Sequence, residues 1–285
     1  MNLISLTICR NSAWSIASVV GHALRYCDSA VVLCHACTDE TVPILRAMDR
    51  VDVIEVGEAD RWSEMDHRQR TLDRGRDLGG THFLILDDDE FAANPLASDL
   101  RRIAGKLRPG MLVQQPLYCC WRSLGTFRAD FFNPRNPFRG TFKSVMFADG
   151  PWLNWETRGG YQHHHTAPYG AVIKRHVPKD SLGWLHIQHA YWPRLVLKQS
   201  WYMAMEVCHY GAIKANYAGS MDETGLLLGM VPPHWWSDLK SGIDLESEPW
   251  QLADLKRMVK KMGVKTFEKH GIDVKAALEP WEAQA

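Results

Sequence analysis

The sequence predicts an α/β protein: a Rossmann-like, mostly parallel sheet with helices on both faces and a helical C-terminal extension. Three observations carry this. Short apolar, β-branched runs alternate with helix-period segments through the first ninety residues. The connections between them are short, as strand–helix–strand units require. The last forty residues carry an amphipathic helical pattern and no strand pattern.

Taken in order, "LISLTI" (3–8) reads as a buried strand. Ile16, Val19, Val20, Ala23 and Leu24 then fall at helical spacing, with Ser12 placed as an N-cap. "AVVLC" (30–34) is the second strand. The helix after it is expected from near Thr38, with Asp39 and Glu40 favourable at its positive end. "VDVIEV" (51–56) is the third strand, a polar helix covers 63–79, and the fourth strand covers 82–86. Ligands of such sheets bind at the carboxyl ends of the strands, where Arg10, Asn11, His35 and the run Asp87–Glu90 emerge.

Residues 108–192 differ: they are rich in Pro, Gly, Trp, Phe and His, with strands expected only at "GMLVQQPLY" (110–118) and "GAVIK" (170–174). A helix is expected from 193 to 210, with Leu195, Val196, Gln199, Met203 and Val207 along one face. "EPWQLADLKRMVKKMG" (248–263) sets Trp250, Leu255, Met258 and Met262 against Lys256, Arg257, Lys260 and Lys261. These patterns divide the chain into a domain at 1–215, with halves 1–107 and 108–215, and an extension at 216–285.

With 33 basic and 33 acidic residues, no global charge points to nucleic acid or an anionic membrane. No window approaches 18 uninterrupted apolar residues, and the N-terminus lacks a leader pattern, so a cytoplasmic location is expected. The seven cysteines, with Cys119 and Cys120 adjacent, are read as isolated thiols of a reducing compartment, neither a disulfide framework nor metal-binding pairs.

The stretch that asks for an explanation is "THFLILDDDEFAANP" (81–95), in which a buried strand runs into four consecutive acids. Like charges this close repel, and desolvation adds to the cost. An acidic turn capping the next helix is one reading. The other is a site for a hard divalent cation, Mg2+ or Mn2+, which prefers oxygen ligands.

At these residues the chain resembles the GT-A-fold glycosyltransferases, specifically the family 2-like transferases. The likeness lies in "LTICRNSAWSI", "CDSAVVLCHACTDET" and "FLILDDDEF" in that order, with "SEMDHRQRTLDRGRDLG" resembling the basic helix before the metal motif. It covers about residues 1–100, and more weakly "LHIQHAYWPRLVLKQSWYM". It implies transfer of a sugar from a nucleotide-sugar, UDP-linked by preference, to an acceptor hydroxyl with inversion. It also implies a divalent metal bound by Asp87 and Asp89, and Arg10, Asn11, His35, Asp39, Arg68 and Asp87 against the nucleotide-sugar. Where many relatives carry an Asp after the second strand, this chain has Cys34-His35. A late His is a further metal ligand in related folds. His186 and His189 are both available and would face opposite ways in a strand, and the distance to Lys198 favours His189.

An inverting transfer needs a base for the acceptor proton. The family's "HE"-like acid is missing from "RGGYQHHHTAP", so Glu156 is favoured, with His164 and Asp149 as alternatives. Trp152, Trp155, Trp184, Trp192, Trp235 and Trp236 could stack on a sugar acceptor or serve as core. A glycan, a protein, a small molecule or a modified nucleic-acid base all remain possible acceptors. Two other readings stand beside this one. A nucleotidyltransferase of related fold usually needs a Gly-rich first loop, and "ICRNSAWS" has no glycine. A carbohydrate-binding or scaffold protein on a degenerate fold would explain the missing acid.

Overall fold

The computed structural model describes residues 1–59, 62–130, 142–155, 166–177, 183–236 and 239–282. Two compact units interleave along the chain. The first comprises Met1–Tyr118, Gly140–His186 and Pro232–Asp244; the second comprises Cys119–Arg139, Ile187–Val231 and Leu245–Ala285.

The first unit is built on a mixed sheet. Strand β1 (Leu3–Cys9) pairs in parallel with β2 (Ser29–His35) and with β4 (His82–Ile85), and β2 pairs in parallel with β3 (Val51–Val56). All seven residues of β1 are buried, as expected for a central strand covered on both sides. Alternate residues feed two cores. On one face Cys9, Val32 and Cys34 meet Ile16 and Val20 of α1 (Ile16–Ala23) and Leu45 of α2 (Thr41–Arg46). On the other, Leu6, Val31 and Phe83 meet Met65 and Leu72 of α3 (Glu64–Asp77). A Cβ at Gly75 of α3 would lie 2.6 Å from the Phe83 ring, so glycine lets α3 press onto β4. The α/β expectation, with parallel strands and helices on both faces, is met.

Beyond β4 the sheet turns antiparallel. Between them come β5 (Glu90–Ala92), α4 (Asn94–Ala104) and β6 (Met111–Cys119). Strand β8 (Phe142–Ala148) lies between β4 and β6, antiparallel to both. Strand β9 (Val172–Arg175) runs parallel to the first half of β6, and β10 (Trp184–His186) connects β6 to β5. The sequence reading misses β8, because "FKSVMFA" carries a lysine and a serine on positions that the fold nevertheless buries.

Two helix starts are corrected. Helix α1 begins at Ile16, not directly after Ser12; the Ser12 carbonyl accepts the N–H groups of Ser15 and Ile16, while its hydroxyl is directed elsewhere. Helix α2 begins at Thr41 because the Asp39 carboxylate accepts the Thr41 N–H at 3.0 Å. Ser63 caps α3, accepting from the Asp66 N–H at 3.4 Å.

The second unit is largely helical. Helix α5 (Trp192–Tyr210) ends where Gly211 takes a left-handed conformation, φ 71°. Its core joins Leu197, Trp201 and Val207 to Leu255 of α6 (Gln251–Met262), Phe267 of α7 (Val264–Glu268) and Trp281 of α8 (Val274–Glu282). A short antiparallel pair, β7 (Thr126–Arg128) with β11 (Leu228–Met230), completes the unit, and a buried ion pair joins Arg128 to Asp130 at 2.6 Å. Among the described residues, no helix is long and apolar enough to cross a membrane.

Candidate active site

Each acid of the run Asp87–Glu90 has its own partner. Asp87 accepts from Arg68 Nη2 at 3.1 Å, and the same guanidinium is held by Glu64 one turn earlier on α3, at 2.9 Å. Asp88 accepts from the Ser12 hydroxyl, and the Asp88 carbonyl accepts from Ser15 Oγ at 2.7 Å. Asp89, buried, lies 3.2 Å from Nε2 of His186. Glu90, also buried, accepts from Lys143 Nζ and from the backbone N–H of Asp87 at 3.1 Å.

The fold makes this possible. Register places His186 opposite Glu90 across the antiparallel pair of β10 and β5. Lys143 sits near the start of β8, whose antiparallel course past β4 brings it to the end from which the acids emerge. Its ammonium is 5.2 Å from the centre of the Trp184 ring, a cation–π contact in a dry setting. Burial lowers Lys143 to about 8, against the upward pull of Asp87 and Asp89. Burial would raise Asp87, but Arg68 and Lys143 outweigh it and hold that carboxyl below its ordinary value, although Asp89 works in the other direction.

The ends of β1 and β2 form a second polar edge. Asn11 takes a left-handed conformation (φ 50°) and exchanges hydrogen bonds with Thr38, accepting its N–H at 2.7 Å and donating to its hydroxyl at 3.2 Å. Asp39 accepts the N–H groups of Ala13 and Thr41, so its carboxylate ties together the two loops after β1 and β2. Arg10 donates to Glu58 at 3.2 Å. His35 is buried, its ring 5.2 Å from that of Trp62 and 5.1 Å from that of His67 on α3.

Among the other expected residues, Glu156 and His164 fall outside the described residues. Asp149 is not available as a base: Arg76 of α3 grips both its oxygens, at 2.9 and 2.8 Å. It also follows β8 at the end of the sheet opposite the acids, where its N–H donates to Thr81. The strand expected to carry both late histidines stops at His186, and Ile187–His189 form a 3-10 turn. His186 is thus the histidine on Asp89, while His189 belongs to the second unit, buried and 6.0 Å from the Trp121 ring. Of the tryptophans, Trp155, Trp184, Trp235 and Trp236 are buried in packing. Trp152 is 53% exposed but packs over Gly110 and Gly150, again at the far end of the sheet.

Two features are missed by the sequence reading. Lys143 gives no signal in sequence, since its role depends on β8 pairing with β4. The reading of the cysteines as isolated thiols overlooks a visible Cys-x-x-Cys, Cys34-His35-Ala36-Cys37, to which the fold adds Cys9. Hydrogen bonding from Cys34 and Cys9, the Asn11 N–H and nearby Arg10 hold the Cys37 thiol well below its ordinary value, against burial.

The donor set suits a hard or borderline divalent cation. Asp87 keeps a third of its side chain exposed, Asp89 stands against an imidazole nitrogen, and carboxylate oxygen with one imidazole matches Mn2+ better than Mg2+, although the three donors do not lie within 4.8 Å of one another in this structure.

No protein-family model matches the chain, and no curated protein matches it. Among solved structures, it is similar to TarS of S. aureus, at 12% identity and TM-score 0.43, over 98% of this chain and 54% of that one. It is similar to glucosyl-3-phosphoglycerate synthase of Mycobacterium tuberculosis crystallised with Mg2+ and UDP, at 17% identity and TM-score 0.31, over 41% of this chain and 43% of that one. It is also similar to a 4-diphosphocytidyl-2C-methyl-D-erythritol synthase, at 14% identity and TM-score 0.36, over 52% of this chain and 75% of that one. The chain thus spans about half of TarS and less than half of the mycobacterial synthase. The chemistry of the site rests on its own side chains.

Proposed function

We propose that the protein is a metal-dependent glycosyltransferase of GT-A type that moves a sugar from a nucleoside-diphosphate donor to an acceptor hydroxyl with inversion. The observation that carries this reading is the Asp87–Glu90 run, individually partnered, at the carboxyl end of a parallel strand beside the ends of β1 and β2. Fixed carboxylates at that edge suit a cation bridging a diphosphate.

Asp87, Asp89 and His186 would hold Mn2+ or Mg2+, which when bound offsets the charge that builds on the departing diphosphate. Arg68 orients Asp87, and its charge with that of Lys143 holds that carboxyl below its ordinary value. Arg10, Asn11, His35 and Asp39 line the strand ends where the nucleotide would lie. In the reaction the acceptor oxygen bonds to the anomeric carbon as the bond from that carbon to the phosphate oxygen breaks, its electron pair leaving with the nucleoside diphosphate. The acceptor proton passes to a base, for which Glu156 or His164 is proposed.

Incubation with UDP-, GDP- and CDP-sugars and Mn2+ tests this. Metal-dependent release of a nucleoside diphosphate supports transfer or donor hydrolysis. Release of pyrophosphate from a nucleoside triphosphate and a sugar phosphate would assign the site to a nucleotidyltransferase instead. Neither release, with no nucleotide binding, would fit a scaffold protein.

A further inference from the structure

Three thiols converge in the first unit, apart from the carboxylate run. Cys9 ends β1 and Cys34 is its register partner in β2, so their side chains leave the sheet side by side on the face that carries α1 and α2. The two sulfurs are 3.7 Å apart. The chain then turns back at Ala36, which holds a left-handed conformation (φ 47°), and delivers Cys37 to the same place. All three sulfurs lie within 4.8 Å of one another, and all three thiols are free.

Packing alone explains a buried cysteine, which behaves as a small apolar residue. It does not call for three sulfurs turned to one point, with a non-glycine residue in the left-handed region to bring in the third. The spacing fits a tetrahedral ion: sulfurs bound at about 2.3 Å stand about 3.8 Å apart. Cys9 and Cys34 are buried, and Cys37 is half-buried, so an ion and a fourth ligand can enter from the Cys37 side.

We propose that Cys9, Cys34 and Cys37 form a three-thiolate site for a thiophilic d10 cation, zinc(II) or copper(I), with an open position on the side of Cys37. The soft sulfur set excludes the hard cation expected at the carboxylates, so the two sites would be chemically separate. The site also has a mechanical consequence. Asn11 donates its backbone N–H to Cys37 Sγ at 3.3 Å and is clasped by Thr38, so an ion at Cys37 fixes the loop after β1 to the loop after β2. The inference is independent of glycosyl transfer.

The test uses the full reduced chain, stripped of metal and titrated with cobalt(II) as a spectroscopic stand-in for zinc. One equivalent should give thiolate-to-cobalt charge-transfer absorption, removed by zinc(II), with a rise in thermal midpoint. A parallel titration with copper(I) under a competing chelator distinguishes the two ions. Cys37→Ser, at the half-buried position, should weaken cobalt binding about tenfold or more. Cys208→Ser, a cysteine outside the cluster, and Asp89→Asn, in the carboxylate run, should leave the charge-transfer band unchanged. Should Cys37→Ser be poorly folded, alkylation answers the same question: zinc(II) should protect three thiols of the wild-type chain. No binding of cobalt(II) or copper(I) by the reduced wild-type chain, or cobalt(II) affinity unchanged in Cys37→Ser, would overturn the proposal. So would formation of a Cys34–Cys37 disulfide in air with no binding of either ion to the reduced protein.

Discussion

Nε2 of His186 lies 3.2 Å from Oδ1 of Asp89, reaching from β10 to the residue just before β5. The contact exists because β10 and β5 pair antiparallel with His186 opposite Glu90. It puts an imidazole on the carboxylate that is buried, leaving Asp87 as the more open of the two. His186→Ala should therefore weaken Mn2+ binding about tenfold or more, measured by calorimetry, without loss of the fold. Unchanged affinity would remove His186 from the metal site.

Lys143 and Glu90 form a buried pair, and removing one member leaves the other charged and unpaired. Lys143→Met should cost about 3–5 kcal/mol in urea unfolding. Adding Glu90→Leu to Lys143→Met should restore much of that loss, because no buried charge then remains. A double variant as unstable as the single one would mean that packing, not charge, sets the cost.

The Asp87 carboxyl is held below its ordinary value, so its protonation should oppose folding. A carboxyl whose folded pKa lies below its unfolded value of about 3.9 contributes stability above that value. The contribution is lost as pH falls through the folded pKa. Wild type should be more stable than Asp87→Asn at pH 6, and the two should converge below about pH 4. A gap that widens toward acid would reverse the sign and contradict the assignment.

Ser12 holds Asp88, the acid between the two proposed metal ligands of the run. Ser12→Ala should cost about 1.5–3 kcal/mol of stability, the range for a hydrogen bond to a charged group. Mn2+ affinity should change far less than stability. A large loss of metal affinity would place Asp88 among the ligands.

What the sequence made legible follows from locality. The four parallel strands and α3 are short-range patterns of burial and capping, and "LILDDDE" marks where charge meets a buried strand. Partners contributed from distant segments were not legible. Nothing local in "FKSVMFA" shows that Lys143 will meet Glu90, 53 residues earlier. His189 looked favourable by its spacing to Lys198, but spacing along the chain does not show that the strand stops at His186. Asp149 looked like a base until α3 brought Arg76 against it. The thiol cluster was half visible, since Cys34 and Cys37 are local while Cys9 joins only through strand pairing.

The central claim is that the carboxylate run holds a divalent cation and a nucleoside diphosphate together. It is tested most directly by thermal stability with UDP-, GDP- or CDP-sugar, with and without Mn2+, for wild type and Asp89→Asn. The expected result is stabilisation of wild type by one nucleotide-sugar only when Mn2+ is present, and its absence in folded Asp89→Asn. Stabilisation that is equal with chelator, or that persists in Asp89→Asn, would contradict the account.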